Sequence, residues 1–319
     1  MFALHAKTDR LAALAEAWLE LMRQGRCQEA WQVSDEAQRV RKGLNCSGWP
    51  RHLQFIWNGE SLAGQRVLIR CYHGLGDTIQ FVRFVQDVRA VARSVALWVQ
   101  PPLIPLLKDV PGVDMLLPLT DGAPPVDYDV DIELGELLHA LRVDLASMPS
   151  RVPYLHASPL PLRCGARPAL GVVWKAGEWD ASRSIPCELL ARFGGLPGID
   201  WWVLQRGPAV AEWRHAFGRV PDITDILDEA RVLRGLDLLI TVDTASAHLA
   251  GALGVPVWTL LPHRADWRWL VSGETTPWYP TMRLFRQTRA GAWEEVVARV
   301  KEELMRVFAQ RAAVASKKA

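Results

Sequence analysis

Apolar residues recur along this chain with two different spacings. In residues 8–42 they fall on one face of each of two helical segments separated by Gly25, which predicts a helical hairpin at 1–44. After residue 65, short apolar runs alternate with helical segments, the pattern of parallel strands connected by helices. A proline-rich segment at 157–168 lacks this period. We therefore expect a first α/β unit at 45–158 and a second at 159–319.

Both α/β units are expected to be doubly wound, Rossmann-like domains. The predicted strands are at 66–72, 95–100, 113–117, 128–132, 170–174, 201–204, 238–242 and 255–261. The predicted helices are at 79–93, 186–193, 226–234, 245–253 and 292–309. Ligands bind beyond the carboxyl ends of the strands in such sheets, so we expect the site in a cleft between the two units.

The N-terminal hairpin has two interpretations. Its sequence around Gly25 resembles half of a tetratricopeptide repeat. A single hairpin cannot form a solenoid, because repeats need neighbours to bury their apolar faces. The hairpin is therefore either a docking or oligomerisation element or a helical cap packed on the next domain.

Residues 238–258 are the most informative segment for function. Asp243 and Thr244 follow an apolar strand with residues that favour the start of a helix, and Gly254 marks the end of that helix. The start of this helix opens at the carboxyl edge of the sheet, where its free N–H groups attract phosphate. His248 lies one turn after Thr244 on the same helix face. A histidine in a helix is otherwise most often held by a structural hydrogen bond.

A glycine loop at 73–78 follows the first strand of the first unit. Gly74 and Gly76 let the backbone approach a ligand closely, and Thr78 completes the loop. Ile79 stands where the dinucleotide fingerprint requires a third glycine or alanine, so the loop matches NAD binding poorly. Asp77 either caps the following helix or acts as a general base facing the cleft.

Further polar residues follow the strands of the second unit. Trp174 and Lys175 end its first strand, and Arg183 precedes a proline-initiated helix. A cation at either place suits a phosphate, although surface solvation is the alternative. Gln205 closes another strand at the same edge, where it could contact a base or ribose. Asp266 follows the last predicted strand.

Composition excludes several classes of protein. The 319-residue chain carries a net charge of +2, which gives no support for a nucleic-acid partner. Its five cysteines are scattered without a C-x-x-C pair, so neither a disulfide framework nor a zinc site is indicated. The first residues do not read as a signal peptide, and the longest apolar region contains Asp237, Asp243 and His248, unlike a membrane span. A cytoplasmic setting fits best.

Several segments, taken in order, resemble glycosyltransferase family 9, the heptosyltransferase superfamily. They read G-L-G-D-T-I-Q-F-V-R-F at 74–84, W-K-A-G at 174–177, R-S-I-P at 183–186 and T-V-D-T-A-S-A-H-L-A-G-A-L-G-V-P-V-W at 241–258. The branch of this family with tetratricopeptide repeats is the most similar, through L-L-P-x-x-x-D-W-R-W-L at 260–270 and P-W-Y-P-x-M-R-L-F-R-Q at 277–287. The likeness extends from about residue 49 to the end.

This resemblance implies a GT-B fold, in which the second of two Rossmann-like domains holds a sugar-nucleotide donor. It implies inversion at the anomeric carbon without a metal or another cofactor. Asp77 matches the catalytic base of the family, and Arg183 matches a cationic contact to the donor phosphates. The donor-binding D-T-x-x-x-H element matches Asp243, Thr244, Ala245 and His248.

The chain also departs from the family pattern. Tyr72 and His73 precede the glycine loop where the branch usually has Glu-Gln, and Ala245 replaces the glycine of the heptosyltransferase D-T-G. Asp77 is thus the expected catalytic residue. The expected donor-binding residues are Gly74, Gly76, Thr78, Trp174, Lys175, Arg183, Gln205, Asp243, Thr244, Ala245, His248 and Asp266.

The resulting prediction is an inverting glycosyltransferase that moves a sugar from a nucleotide-sugar donor to an acceptor hydroxyl. The resemblance favours heptose from ADP-heptose as the sugar and donor. The acceptor is left open between lipopolysaccharide, another glycan and a protein side chain. The alternatives are a non-catalytic nucleotide-sugar-binding scaffold and a sugar-nucleotide epimerase. Attachment to the periphery of the inner membrane and assembly as a homo-oligomer also remain open, with no transmembrane segment expected.

Overall fold

The computed structural model describes residues 2–145, 148, 151–162, 167–177 and 180–316. Part of the proline-rich segment, 163–166, therefore lies outside the described residues. The chain begins with two packed helices, α1 (Phe2–Arg23) and α2 (Cys27–Arg41), as the hairpin prediction expects. Gly25 adopts φ +74° in the turn between them, a left-handed conformation that glycine tolerates best.

The first α/β unit contains four parallel strands. In chain order it comprises β1 (Arg66–Arg70), α3 (Leu75–Phe81), α4 (Val85–Arg89), β2 (Ser94–Val99), α5 (Ile104–Leu107), β3 (Met115–Pro118), β4 (Val130–Glu133) and α6 (Leu137–Ala140). The strand order is β3-β2-β1-β4. Short 3₁₀ segments connect several of these elements.

The second unit contains five parallel strands in the order β6-β5-β7-β8-β9. In chain order it comprises β5 (Ala169–Val173), β6 (Asp200–Val203), α7 (Ile226–Arg234), β7 (Leu238–Val242), α8 (Ala245–Ala252), β8 (Val257–Leu261), β9 (Met282–Arg286) and α9 (Trp293–Ser316). Every residue of β5, β7 and β8 is buried. Such fully buried strands are typical of parallel sheets covered by helices on both faces.

Two predicted helices differ from the structure, and one strand was missed. The helix predicted at 79–93 begins at Leu75, because the Asp77 carboxylate accepts a hydrogen bond from the Gly74 N–H and closes the first turn inside the glycine loop. It is then interrupted by the 3₁₀ segment Val82–Phe84. The helix predicted at 186–193 is a 3₁₀ helix, Cys187–Phe193. Strand β9 was not predicted.

The hairpin packs on both α/β units. The Trp31 indole on α2 donates to the Val143 carbonyl of the first unit at 2.9 Å. The Trp18 ring on α1 meets the Trp267 ring of the second unit edge to face, with the centroids 5.3 Å apart. The Val271 N–H donates to the Arg23 carbonyl at 3.0 Å. This placement matches the helical-cap interpretation of the hairpin. Separately, in the described part of the chain no helix is long and apolar enough to cross a membrane.

Candidate functional site

A cleft of about 750 Å³ lies between the two sheets, at their carboxyl edges. The loop between β1 and α3 forms one wall, and residues that follow β5, β6 and β7 form the other. Most of the predicted site residues line this cleft: Gly74, Gly76, Asp77, Lys175, Arg183, Gln205, Asp243, Thr244, Ala245, His248 and Asp266.

Two predicted residues, Thr78 and Trp174, do not line the cleft. The Thr78 hydroxyl is buried and donates to Oε1 of Gln100 at 3.0 Å. The Trp174 side chain is fully buried, and its indole N–H donates to Glu212 at 3.1 Å. Trp174 contributes through its backbone instead, because its N–H donates to Oε1 of Gln205 at 3.1 Å and fixes that side chain at the rim.

The two units approach most closely where α3 meets the start of α8. A Cβ atom at Gly76 would lie 3.0 Å from Cδ2 of His248 and 3.5 Å from Cα of Ala245. A side chain at position 76 would therefore have to push α8 away. The glycine loop thus serves close packing of the two helix starts as well as any approach of a ligand.

The start of α8 opens into the cleft. Thr244 caps it, with its side-chain oxygen accepting from the Ala247 N–H at 3.4 Å. Thr244, Ala245 and Ser246 line the cleft at this point. An eight-residue helix presents unpaired N–H groups and a partial positive charge at its start, which favours an anion.

Arg183 stands beside this helix start. Its Nη1 donates to the Asp243 carbonyl at 3.2 Å and lies 3.6 Å from the Asp243 carboxylate. Burial raises the pKa of Asp243, and the nearby Asp266 adds to that shift. Lys175 lies farther out, where its ammonium pairs with Glu212 at 2.5 Å. The cleft therefore places a guanidinium group next to the anion-favouring end of α8.

His248 is almost fully buried at the base of the cleft. Its Nδ1 lies 2.9 Å from the Tyr279 hydroxyl, and its Nε2 lies 3.8 Å from the Asp243 carboxylate. Its ring stacks on Trp269 with the centroids 5.3 Å apart. Burial lowers the pKa of His248 well below its usual value, and the charges of Arg268 and Arg83 lower it further. The imidazole is therefore neutral at neutral pH and holds the cleft floor in place.

Sequence reasoning missed Arg268, which links the two carboxylates of the site. Its guanidinium pairs with Asp77 through Nη2 and with Asp266 through Nη1, the latter at 2.9 Å. Its Nε donates to Oε1 of Gln80 at 2.7 Å. Burial alone would lower the pKa of Arg268, but the carboxylates of Asp266 and Asp77 raise it, so the side chain stays cationic. Its position after β8 in the D-W-R-W segment was the signal available in the sequence.

Two parallel Rossmann-like sheets with a shared cleft define an α/β protein with the architecture of GT-B glycosyltransferases. Solved structures with this architecture include the glycosyl transferase family 9 protein from Veillonella parvula. It aligns with a TM-score of 0.53 and 13% identity over 72% of this chain and 87% of that one. Heptosyltransferase WaaC from E. coli, solved with ADP-2-deoxy-2-fluoro heptose, aligns with a TM-score of 0.51 and 16% identity over 76% of this chain and 99% of that one.

These likenesses confirm the predicted α/β fold with parallel sheets that resemble those of GT-B heptosyltransferases. Among curated proteins, Protein FlbA from Caulobacter vibrioides is 28% identical over 88% of this chain and 52% of its own length. The chain therefore spans about half the length of that relative. No family model matches the chain. The tetratricopeptide branch and the metal-independent mechanism stay predictions.

Proposed function

We propose that this protein is an inverting glycosyltransferase with a nucleotide-sugar donor, and that ADP-heptose is the first donor to test. The observation that carries the proposal is the meeting of two groups in one cleft. The Asp77 carboxylate comes from the first unit, and the start of α8 comes from the second. Heptosyltransferase WaaC from E. coli, which shares this fold and was solved with ADP-2-deoxy-2-fluoro heptose, supports the choice of donor.

The chemistry follows from these positions. Asp77 takes the proton of an acceptor hydroxyl while the acceptor oxygen bonds to the anomeric carbon of the donor sugar. The bond from that carbon to the phosphate oxygen breaks, and the nucleoside diphosphate leaves with the electron pair. The start of α8 and Arg183 stabilise the departing diphosphate. Both Asp77 oxygens already accept a hydrogen bond, from Arg268 and from Gly74, but each keeps a second lone pair for the acceptor.

The substitution Asp77→Asn tests the proposed base. With ADP-heptose and an acceptor extract, we expect release of ADP to fall by about 10²–10⁴-fold, the usual contribution of a general base. Donor affinity, measured by calorimetry, should change little, because the phosphate contacts lie in the other unit. Arg183→Ala should do the opposite and weaken donor binding. The matched control is Asp109→Asn, at an exposed carboxylate of the same unit.

Three results would contradict the proposal in distinguishable ways. Normal turnover in Asp77→Asn would remove that residue from catalysis. Tight binding of ADP-heptose without ADP release under any acceptor condition would favour the scaffold alternative. Conversion of the donor into a stereoisomer without an acceptor would favour the epimerase alternative. The acceptor class belongs to this proposal and is read by the same ADP-release assay with different acceptors. Peripheral membrane attachment and homo-oligomeric assembly are further parts of it, read by vesicle sedimentation and by light scattering.

A further inference from the structure

A second cavity, of about 330 Å³, lies between the N-terminal hairpin and the first α/β unit. Helices α1 and α2 form one side of it, and residues near the ends of β1 and β4 form the other. Asp77 and Arg268 line both this cavity and the larger cleft. The proposed base therefore lies where the two spaces adjoin.

Four aromatic side chains contribute to the wall of this hairpin cavity: Trp18, Trp31, Phe81 and Trp267. The rings of Trp18 and Trp31 are 6.4 Å apart, and those of Phe81 and Trp267 stack at 6.4 Å. Rigid aromatic surface beside a few polar groups suits a ring that has both apolar C–H faces and hydroxyl groups.

The cations that line the hairpin cavity are already paired. Arg41 pairs with Glu136 at 3.0 Å, and Arg268 pairs with Asp266 at 2.9 Å. Burial lowers the pKa of His73 and of His139, so neither imidazole adds a positive charge at neutral pH. The described lining residues therefore offer no unpaired positive charge to neutralise an anionic ligand. This favours an uncharged ligand in the hairpin cavity.

Two buried donors on α2 lack hydrogen-bond partners among the described residues. They are Nε2 of Gln38 and Nε of Arg41, and both side chains line the hairpin cavity. Buried polar groups are normally satisfied, so two orphaned donors on side chains that line the cavity favour a ligand with acceptor oxygens, toward which these side chains turn on binding. The Glu133 carboxyl also lines this wall, 3.6 Å from Nε2 of His73.

We propose that the hairpin cavity is the acceptor site and that it binds one uncharged, polyhydroxylated ring, a monosaccharide unit of the acceptor. The inference rests on the proposed glycosyl transfer and names its acceptor class. An acceptor hydroxyl at the cavity's inner end reaches Asp77 from the hairpin side and gives its proton to the carboxylate. The oxygen attacks the anomeric carbon while the diphosphate departs into the larger cleft. Because the acceptor oxygen attacks the face of the anomeric carbon opposite the departing diphosphate, the configuration of that carbon is inverted.

Ala37→Phe provides the test, because Ala37 lies on α2 and lines the hairpin cavity. The probes are uncharged methyl glycosides of glucose, galactose and mannose, titrated by ligand-observed NMR in the presence of ADP. We expect Ala37→Phe to lower their affinity by about tenfold or more, while ADP affinity by calorimetry changes less than about twofold. Ala13→Phe, at an exposed position on α1, is the matched control and should bind like the wild type.

A second variant keeps the test valid if Ala37→Phe does not fold. Gln38→Leu removes one orphaned donor at similar side-chain size and should also weaken glycoside binding. Equal glycoside affinity in wild type and folded variants, or no glycoside binding at all, would overturn the inference. Preferential binding of methyl glucuronide, or transfer only to serine and threonine peptides, would also overturn it. If the wild-type protein did not bind ADP at all, that result would instead count against the proposed function.

Discussion

Glu133 is a buried carboxyl group whose charge the fold disfavours. It lies at the end of β4 and accepts hydrogen bonds from the N–H groups of Gly135 and Tyr72. Burial raises its pKa from 4.5 to about 8, against the effect of the Gly135 N–H, and the neighbouring Glu136 and Asp77 raise it further. The group is therefore protonated at neutral pH, unlike an ordinary glutamate.

The raised pKa of Glu133 predicts a dependence of stability on pH. Between pH 4.5 and about 8 the folded state keeps this proton while the unfolded chain loses it, so stability falls as pH rises. The slope from this group is at most about 1.4 kcal/mol per pH unit. Glu133→Gln cannot titrate, so its stability relative to the wild type should increase from pH 5 to pH 8 in urea unfolding.

The exposed Glu16→Gln variant is the control for this pH series and should follow the wild type at every pH. A constant stability difference between Glu133→Gln and the wild type across the range would show that Glu133 is already ionised at pH 5. The group would then have an ordinary pKa despite its burial.

At the level of elements, α8 combines a structural cap with a proposed phosphate contact. Thr244→Ala removes the side-chain oxygen that accepts from the Ala247 N–H. Loss of such a cap typically lowers the free energy of unfolding by about 0.5–2 kcal/mol. We expect a loss in that range by urea unfolding, together with weaker ADP binding by calorimetry. Thr244→Ser keeps the oxygen and should retain most of both properties.

A loss of stability without any change in ADP affinity would separate the two roles of α8. The helix start would then be structural only, and the diphosphate would have to be held elsewhere in the cleft. Full stability in Thr244→Ala would show that water or another group replaces the cap.

The regular elements around this helix were predictable because local patterns determine them. The run from β7 to β8 shows apolar strands, a capping residue and a terminating glycine in order, and the structure has each of these elements. The hairpin was predictable in the same way from helical periodicity. Only its packing partners were not, since α1 contacts Trp267 across more than two hundred residues of sequence.

The direction of individual side chains and the pairing of residues far apart in the sequence could not be predicted from local sequence patterns. Thr78 and Trp174 were predicted to bind the donor, but their side chains are buried and bonded within the protein, to Gln100 and Glu212. Arg268 is one arginine among many, and its importance comes from pairing with Asp77, which lies 191 positions earlier in the chain. Strand β9 carries arginines at its second and last positions, Arg283 and Arg286, and these charges interrupt the apolar run by which the other strands were predicted.

At the scale of the whole molecule, the two α/β units are held together by contacts outside the cleft. The hairpin is one such bridge. Another is Arg83, which is nearly fully buried in the 3₁₀ segment Val82–Phe84 of the first unit. Its Nη1 donates to the Trp278 carbonyl of the second unit at 2.8 Å, and its Nη2 donates to the Tyr154 hydroxyl at 2.9 Å. These bridges fix the distance across the cleft.

Arg83→Met should loosen this connection. The substitution places an apolar side chain of similar length there but removes three hydrogen bonds from a charged donor, to the Gln80 and Trp278 carbonyls and the Tyr154 hydroxyl. Each has a net value of about 1.5–3 kcal/mol. Improved burial of the methionine offsets part of that loss, so we expect a net destabilisation of about 2–4 kcal/mol. Because the two units then depend less on each other, calorimetry should show a broader or split unfolding transition.

The exposed Arg93→Met variant controls for removing a positive charge from the first unit and should unfold like the wild type. The prediction also extends to the active cleft. If Arg83 fixes the distance between Asp77 and α8, Arg83→Met should lower turnover more than it lowers affinity for ADP, since ADP contacts are proposed mainly in the second unit. An unchanged single transition with unchanged turnover would show that the other contacts between the two units hold them in register without Arg83.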